Sequence, residues 1–440
     1  AAPEGDAVAA VRLDTLRLAL LATDTATAGD TLETELTLVL GALDPGARLE
    51  VALHEAPDTV NGPSGVVVGR PTPFGPYRWR FPEGTRVPVT GRLGDRLRIR
   101  LIEDLEAWVL EEDARWVRAS APGPARAFDA RLEMRDDRLS LRLGLDRAVP
   151  VHVRQTGRRQ LTLLVYGAEG ETSRMAYGPE DPLVEQIEWD QLPGPLLRLT
   201  LDLTEPVWGW QTSYEDGAAR TYEGPRGADG AGTGGRVLRL DVHRPPPIDP
   251  EQPLAGRWIA VDPGHPPAGS TGPTGYYEGE ANLAIARRLV RQLEEAGARA
   301  ILVRRDDEPV GLYERTGRAV ADGAELFVSI HNNALPDGIR PFGREGTSTY
   351  YHHPHARDLA RAVQHGLLEE LGLPDLGILW GDLAVARLSW IPSVLVEGAF
   401  MMHPAHEAAL RMPEFQERYA RGVLRGIEAF LRGRAAADGG

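Results

Sequence analysis

The periodicity of apolar residues changes once along the chain, at "RPPPIDPEQP" (244–253). Before it, apolar residues alternate with other residues: Leu139, Leu141, Leu143 and Leu145; Leu161, Leu163 and Val165; Leu197, Leu199, Leu201 and Leu203; Leu238, Leu240 and Val242. A period of two builds strands with one buried face. After it, short apolar runs take turns with helical patterns. "WIAV" (258–261), "AILV" (300–303), "LFVSI" (326–330) and "SVLV" (393–396) are apolar on both faces, as buried parallel strands are. Residues 282–297, 355–372 and 413–433 carry helical spacing. In the first, Leu283, Ala286, Leu289, Val290 and Leu293 share one face, and Gly297 stands where a helix ends. The pattern predicts a multidomain chain: an all-β N-terminal half, then an α/β domain with a mostly parallel sheet flanked by helices. The proline-rich stretch reads as a stiff linker between them.

The N-terminal half subdivides further. "LTLVLGALDPGARLEVALHEA" (37–57) holds two short strands around Asp44-Pro45-Gly46, and residues 86–109 alternate Leu97, Ile99 and Leu101 with Arg around a Gly94-Asp95 turn. "GADGAGTGG" (227–235) reads as a flexible loop tip. The expected division is a β-rich segment of unknown type at 1–56, β domains at 57–120 and 121–245, a linker at 246–255 and the α/β domain at 256–434. The formal charge of −15, with a pI near 5.3, argues against nucleic acid and against an anionic membrane surface, both of which select Lys and Arg. No apolar run approaches the roughly 18 residues of a membrane span. The chain has no Cys, which fits an oxidising, extracytoplasmic compartment. All 49 basic residues are Arg, a bias of coding rather than of heat adaptation. The opening Ala1-Ala2-Pro3, without Met, reads as a mature form whose signal peptide has been removed, or as a trimmed chain. The expected location is outside the cytoplasm, in the periplasm or cell envelope.

Polar residues close three of the four C-terminal strands. His265 follows the first through "DPGH", His331 follows the third in "SIHNN", and Glu397 follows the fourth in "LVEG". Glu278 and Glu280 stand just before the first helix in "GYYEGEANL". Parallel strands bring their C-terminal ends to one sheet edge, where ligands bind in open α/β sheets. Two histidines and a carboxylate are a donor set for catalytic zinc, which keeps a fourth position for water, and a further carboxylate can take that water's proton. The same donors can also hold Fe(II). Spacing alone leaves Glu278 and Glu280 open as ligands, since both also suit the first turn of a helix.

At these residues the chain resembles a known family. "VDPGH" (261–265), "YYEGEANLAIARRL" (276–289), "LYERTGRAVADGAELFVSIHNNA" (312–334), "GTSTYY" (346–351) and "IPSVLVEGAF" (391–400) occur in the order seen in the zinc-dependent N-acetylmuramoyl-L-alanine amidases of the amidase 3 type. The resemblance covers 256–432. It implies Zn²⁺ held by His265, Glu278 and His331, with Glu397 as the catalytic carboxylate. Glu278 rather than Glu280 matches, five positions before Leu283. It also implies cleavage of the amide between N-acetylmuramic acid and the L-alanine of the stem peptide, for wall remodelling or daughter-cell separation. Asn333 and Arg315 are candidate substrate contacts, Arg315 being read mainly as a local salt bridge. The chain departs from the family at Pro266-Pro267, where a Gly is usual, at Ala399 before Phe400, and at His403 in place of Asn. The segment "ALPDGIRPFGRE" (334–345) is too short for the helix that plugs the zinc in some members, which implies an open site.

The N-terminal half resembles envelope-targeting modules more loosely. Residues 57–119, ending "GDRLRIRLIEDLEAWVLEEDARWV", look like a bacterial SH3-like domain. Residues 125–243, with "EPVWGWQTSYEDG" and "VLRLDVHRP", look like an AMIN-type β domain. The implied partners are peptidoglycan and, through the β domains, envelope or divisome proteins. Trp208 and Trp210 read as packing residues facing one way, with sugar stacking as the rival. His352 and His353 read as lining a loop, His365 as a mid-helix residue and His406 as lying in a polar loop. Two other functions compete: a different zinc peptidoglycan peptidase, separated by product analysis, and a non-catalytic wall-binding scaffold, which the intact His, Glu, His and Glu set argues against.

Overall fold

A computed structural model of the chain describes residues 12–19, 35–42, 49–57, 64–120, 123–170, 175–176, 182–216, 235–336, 338–343 and 345–438. The chain terminus at Ala1-Ala2-Pro3, the Asp44-Pro45-Gly46 turn and nearly all of the glycine-rich tip at 227–235 lie outside the described residues. The chain has a β-rich N-terminal half and an α/β C-terminal unit.

In the first β unit, strand Glu50–Leu53 pairs with both Arg86–Leu93 and Ala114–Val117. This strand, before residue 57, therefore belongs to the same sheet as the strands after it. Alternation places Val87, Leu97, Ile99 and Val109 inside with Trp79 and Phe81. A β-sandwich follows. Its six-stranded sheet contains Ala125–Met134, Arg138–Leu145, Gly209–Asp216 and Arg236–His243, and its four-stranded sheet contains Val151–Gly157, Gln160–Tyr166, Val184–Leu192 and Leu196–Leu203. The alternating leucines of both sheets meet in one core, which is what a period of two dictates when one face is buried. Tyr166, Leu164 and Leu196 leave the sandwich and pack into the core of the first unit.

The α/β unit runs β1 (Trp258–Pro263), α1 (Glu278–Glu295), β2 (Arg299–Leu302), α2 (Leu312–Ala321), β3 (Leu326–Asn333), β4 (Thr347–Tyr351), α3 (Arg357–Leu371), β5 (Asp375–Trp380), β6 (Ser393–Phe400), α4 (Pro404–Leu410) and α5 (Pro413–Asp438). The sheet order is β2-β1-β3-β6-β4-β5. The first four strands are mutually parallel, and β4 turns antiparallel to β6 and carries β5 parallel to itself. The strands run beyond the apolar cores seen in the sequence: His331 and Glu397 lie inside β3 and β6, not just past them. Helix α1 likewise begins four residues before the periodic stretch, at Glu278.

The halves are packed together. Trp208 is fully buried and belongs to the core of the α/β unit, not of its own sandwich, and Leu254 of the proline-rich connection joins that core too. Trp208 Nε1 donates to Glu325 O (3.2 Å), and Arg434 donates to Pro206 O (2.7 Å). Trp210 is 5% exposed and packs in the sandwich core. The two rings thus face different cores rather than one way, and neither is open for sugar stacking. The contact that buries them comes from strands far away in sequence, a signal that local alternation does not carry.

Candidate active site

Parallel register brings the site together. His331 and Glu397 are ladder partners on β3 and β6, and β1 ends beside β3 with Pro263 opposite Ile330. The turn after β1 approaches so closely that a Cβ on Gly264 would lie 2.2 Å from the His331 ring. Only glycine fits there. His265 adopts φ 57°, a left-handed conformation that costs a non-glycine residue roughly 1–3 kcal/mol and persists only when its surroundings over-determine it. Arg315 supplies part of that determination. Its guanidinium, 3% exposed, pairs with buried Asp262 at 2.7 Å and donates to Pro263 O (2.9 Å) and Pro266 O (2.7 Å). Asp262 also accepts from Ser329 Oγ at 2.7 Å. Arg315 therefore faces inward and holds the His265 turn, whereas Asn333 is half-buried at the end of β3.

Glu278, in the first turn of α1, is buried while Glu280 is exposed, which separates the two carboxylates that spacing left open. Its Oε1 lies 3.3 Å from His265 Nε2 and 3.2 Å from His331 Nδ1. Oε1 also accepts from the Asn332 N–H (3.2 Å), and Oε2 from the Ser270 N–H (3.1 Å). Burial works to raise the Glu278 carboxyl, but the hydrogen bonds and charges of His265 and His331 outweigh it and hold it well below the usual carboxylate range. The donor atoms of His265, Glu278 and His331 all lie within 4.8 Å of one another, so they can share one cation.

Glu397 stands next to them with the opposite character. Burial, reinforced by the charge of Glu278, pushes its carboxyl well above the usual range. Its Oε2 is buried without a hydrogen-bond partner. Buried polar atoms are seldom left so, and this one suits a group that meets a ligand.

Three supports were not foreseen. Glu407 accepts from the Thr274 N–H (3.0 Å) and hydroxyl (2.8 Å) and the Tyr276 N–H (3.2 Å), fixing the turn before Glu278. Asn282 donates to Gly264 O (3.1 Å) and Tyr419 to His331 O (2.8 Å). Glu407 stands three residues after Pro404 in the first turn of α4, and its position at a helix start is the one local signal it carries.

A second group, Glu345, His403 and His406, also brings its donor atoms within 4.8 Å. Ring chemistry distinguishes it. His406 Nδ1 accepts the Phe400 N–H at 3.1 Å, so the proton of the neutral ring sits on Nε2, which faces Glu345 at 3.6 Å, beyond hydrogen-bond distance. That nitrogen has no lone pair for a metal. In His265, by contrast, Nδ1 donates to Pro267 O at 3.3 Å, so when the ring is neutral the lone pair is on Nε2, the nitrogen that faces Glu278.

Residues 259–429 match the family model described as N-acetylmuramoyl-L-alanine amidase. The uncharacterised protein YqiI of Bacillus subtilis is 33% identical over 185 residues, 41% of this chain and 87% of that protein. The N-acetylmuramoyl-L-alanine amidase LytC of Bacillus subtilis is 34% identical over 185 residues, again 41% of this chain but 37% of that longer protein. Among solved structures, the catalytic domain of CwlV, an amidase from Bacillus (Paenibacillus) polymyxa var. colistinus, is 31% identical, covers 40% of this chain and 98% of its own, and gives a TM-score of 0.38. With the match confined to the α/β unit, the chain belongs to the N-acetylmuramoyl-L-alanine amidase family of the amidase 3 type.

Proposed function

We propose that the chain is a zinc-dependent peptidoglycan amidase. It hydrolyses the amide between the lactyl group of N-acetylmuramic acid and the L-alanine of the stem peptide, with His265, Glu278 and His331 as metal ligands. One observation carries the reading: His265 Nε2 and His331 Nδ1 stand 3.3 and 3.2 Å from the same oxygen of Glu278. Two atoms bound to a tetrahedral zinc ion at about 2.0–2.1 Å are about 3.3 Å apart. The trio has the spacing of a coordination shell, and the Pro267 carbonyl orients the His265 lone pair toward it, as outer hydrogen bonds do for metal-ligating histidines.

Zinc, when bound, polarises the scissile carbonyl and lowers the pKa of a water to roughly 7. The chain supplies the rest. Glu397 accepts a proton from the attacking water and hands it to the amine of the departing L-alanine. Its raised affinity for a proton and its unpartnered Oε2 suit both transfers. Arg315 and Asp262 hold the His265 turn, and Asn333, at the end of β3, contacts the substrate.

Peptidoglycan as substrate places the working protein in the cell envelope, where the SH3-like (57–120) and AMIN-like (121–245) parts would meet wall or divisome partners during remodelling or cell separation. The test is metal analysis followed by digestion of purified peptidoglycan. We expect about one zinc per chain, and products bearing a lactyl carboxylate and an alanine amine. Peptide fragments cut elsewhere in the stem would make the enzyme a peptidase and overturn the assignment.

A further inference from the structure

Residues 381–392 connect β5 to β6, with one short 3₁₀ turn at Val385–Arg387 as their regular structure. Four histidines hold this segment by its carbonyls. His352 Nδ1 donates to Gly381 O (3.0 Å), His353 Nε2 to Arg387 O (2.8 Å), His243 Nδ1 to Trp390 O (2.9 Å) and His355 Nε2 to Ile391 O (3.4 Å). Three come from the α/β unit, and His243 comes from the last strand of the sandwich.

The sandwich grips the same segment in further ways. The Trp210 N–H donates to Ser389 O, and Ser389 Oγ donates to Trp210 O, both at 2.8 Å. The His243 ring stacks on Trp390, centroids 4.4 Å apart and 11° from parallel. Trp210 meets His353 and His355 edge-on at 5.1 and 5.0 Å. At Gly209 the two backbones touch: a Cβ there would fall 1.9 Å from Trp390 O.

This segment leads straight into the strand that carries Glu397. Pro392 O accepts the Phe327 N–H at 3.0 Å, and Ser393 Oγ donates to Val385 O at 2.7 Å. Glu397 follows four residues later. Strands β3 and β4 ladder with β6 from its first residues, Ser393 and Val394, and the connection that leads into it meets the sandwich along 389–391.

We infer that the sandwich is a buttress of the active site: by gripping residues 389–391 it fixes the start of β6 and so the place of Glu397, which makes Gly209, Trp210 and His243 positioning residues. The inference rests on the reading of Glu397 as the catalytic carboxylate. A displacement of about 1 Å at a reacting group can cost on the order of 10²-fold in rate, so a grip some distance away acts without touching substrate or metal.

Gly209→Ala in the full chain is the test, because its new Cβ must push the Trp390 carbonyl away while leaving the site's residues intact. On a soluble muropeptide we expect kcat to fall roughly tenfold, with KM and zinc content unchanged. A merely structural loss would instead lower the amount of folded, zinc-loaded enzyme and leave kcat per zinc intact. Should Gly209→Ala fail to fold, His243→Ala and His243→Asn replace it. The Asn keeps a side-chain N–H for Trp390 O and should recover part of the kcat that Ala loses. A kcat per zinc within about twofold of the parent in Gly209→Ala, or in His243→Ala, overturns the buttress. Glu397→Gln is assayed alongside: if it retains turnover, the catalytic assignment itself fails, whereas an inactive Glu397→Gln with an unimpaired Gly209→Ala removes only the buttress.

Discussion

Two groups of histidines, one at the edge of the α/β sheet and one where that unit meets the sandwich, share a residue type and little else. At the active edge, His265 and His331 turn ring nitrogens toward one carboxylate oxygen at 3.3 and 3.2 Å. At the junction with the sandwich, His243, His352, His353 and His355 each spend a ring N–H on a backbone carbonyl. The first arrangement gathers two ring nitrogens and a carboxylate oxygen within reach of one cation. The second uses neutral imidazole as a rigid, amphipathic strut. The lesson is that the partner of each ring nitrogen, more than the density of histidines, separates a metal site from a structural one.

The largest effects should break the active edge. Glu397→Gln should retain zinc and lose roughly 10²-fold or more in turnover, the scale of losing a general base. Glu278→Ala should lose zinc itself. Metal content and kcat measured on both variants check this, and exchanged outcomes would exchange the two roles.

Acid should act on the junction. Burial pushes the His355 imidazole down to about 3 and that of His353 well below its ordinary 6.5. The charged groups nearby add to this: Arg80 and Arg434 lower the group further, while Asp382, which faces His352 at 3.7 Å, is bonded by Arg387 at 2.8 Å. An imidazole whose pKa is about 3 folded and about 6.5 unfolded binds its proton more readily in the unfolded chain. Its contribution is complete above pH 6.5 and is lost progressively as pH falls from 6.5 toward 3. Tm should therefore decline over that window, and His355→Gln, which has no proton to gain, should flatten the decline. A His355→Gln curve parallel to the parent's would show that the junction histidines do not govern acid stability.

The smallest effect belongs to Glu345, His403 and His406. Glu345 is exposed, and such a pair is worth about 0–1 kcal/mol. Glu345→Gln should shift Tm by a few degrees at most and leave zinc binding at one ion per chain. A second zinc in the parent that disappears in His406→Ala would overturn the ring assignment and make this group a metal site after all.

Much of the active edge was legible in the chain. "DPGH", "SIHNN" and "LVEG" each place a polar residue on an apolar two-sided run, and parallel strands must deliver such residues to one edge. The added pair β4 and β5 was less legible, because "TSTYY" is short and buries polar residues, while "DLGILW" is short and largely exposed. The choice between Glu278 and Glu280 depended on resemblance until folding buried one and exposed the other. Arg315 showed itself as a cation in "ERTGR", but its role depends on Asp262, which lies 53 residues away.

The sequence by itself determined the change from one-faced to two-faced strands at 244–253, and with it the two classes of fold and the strands that carry His265, His331 and Glu397. Those properties follow from periodicity, which is local. Tertiary structure decided which carboxylate joins the histidines, and that Trp208 locks into the α/β core while Trp210, packed in the sandwich core, meets His353 and His355 edge-on instead of facing solvent. Each of these depends on a neighbour brought close by folding: Ser389 lies 179 residues from Trp210, and no pattern within a strand records what its buried face will meet.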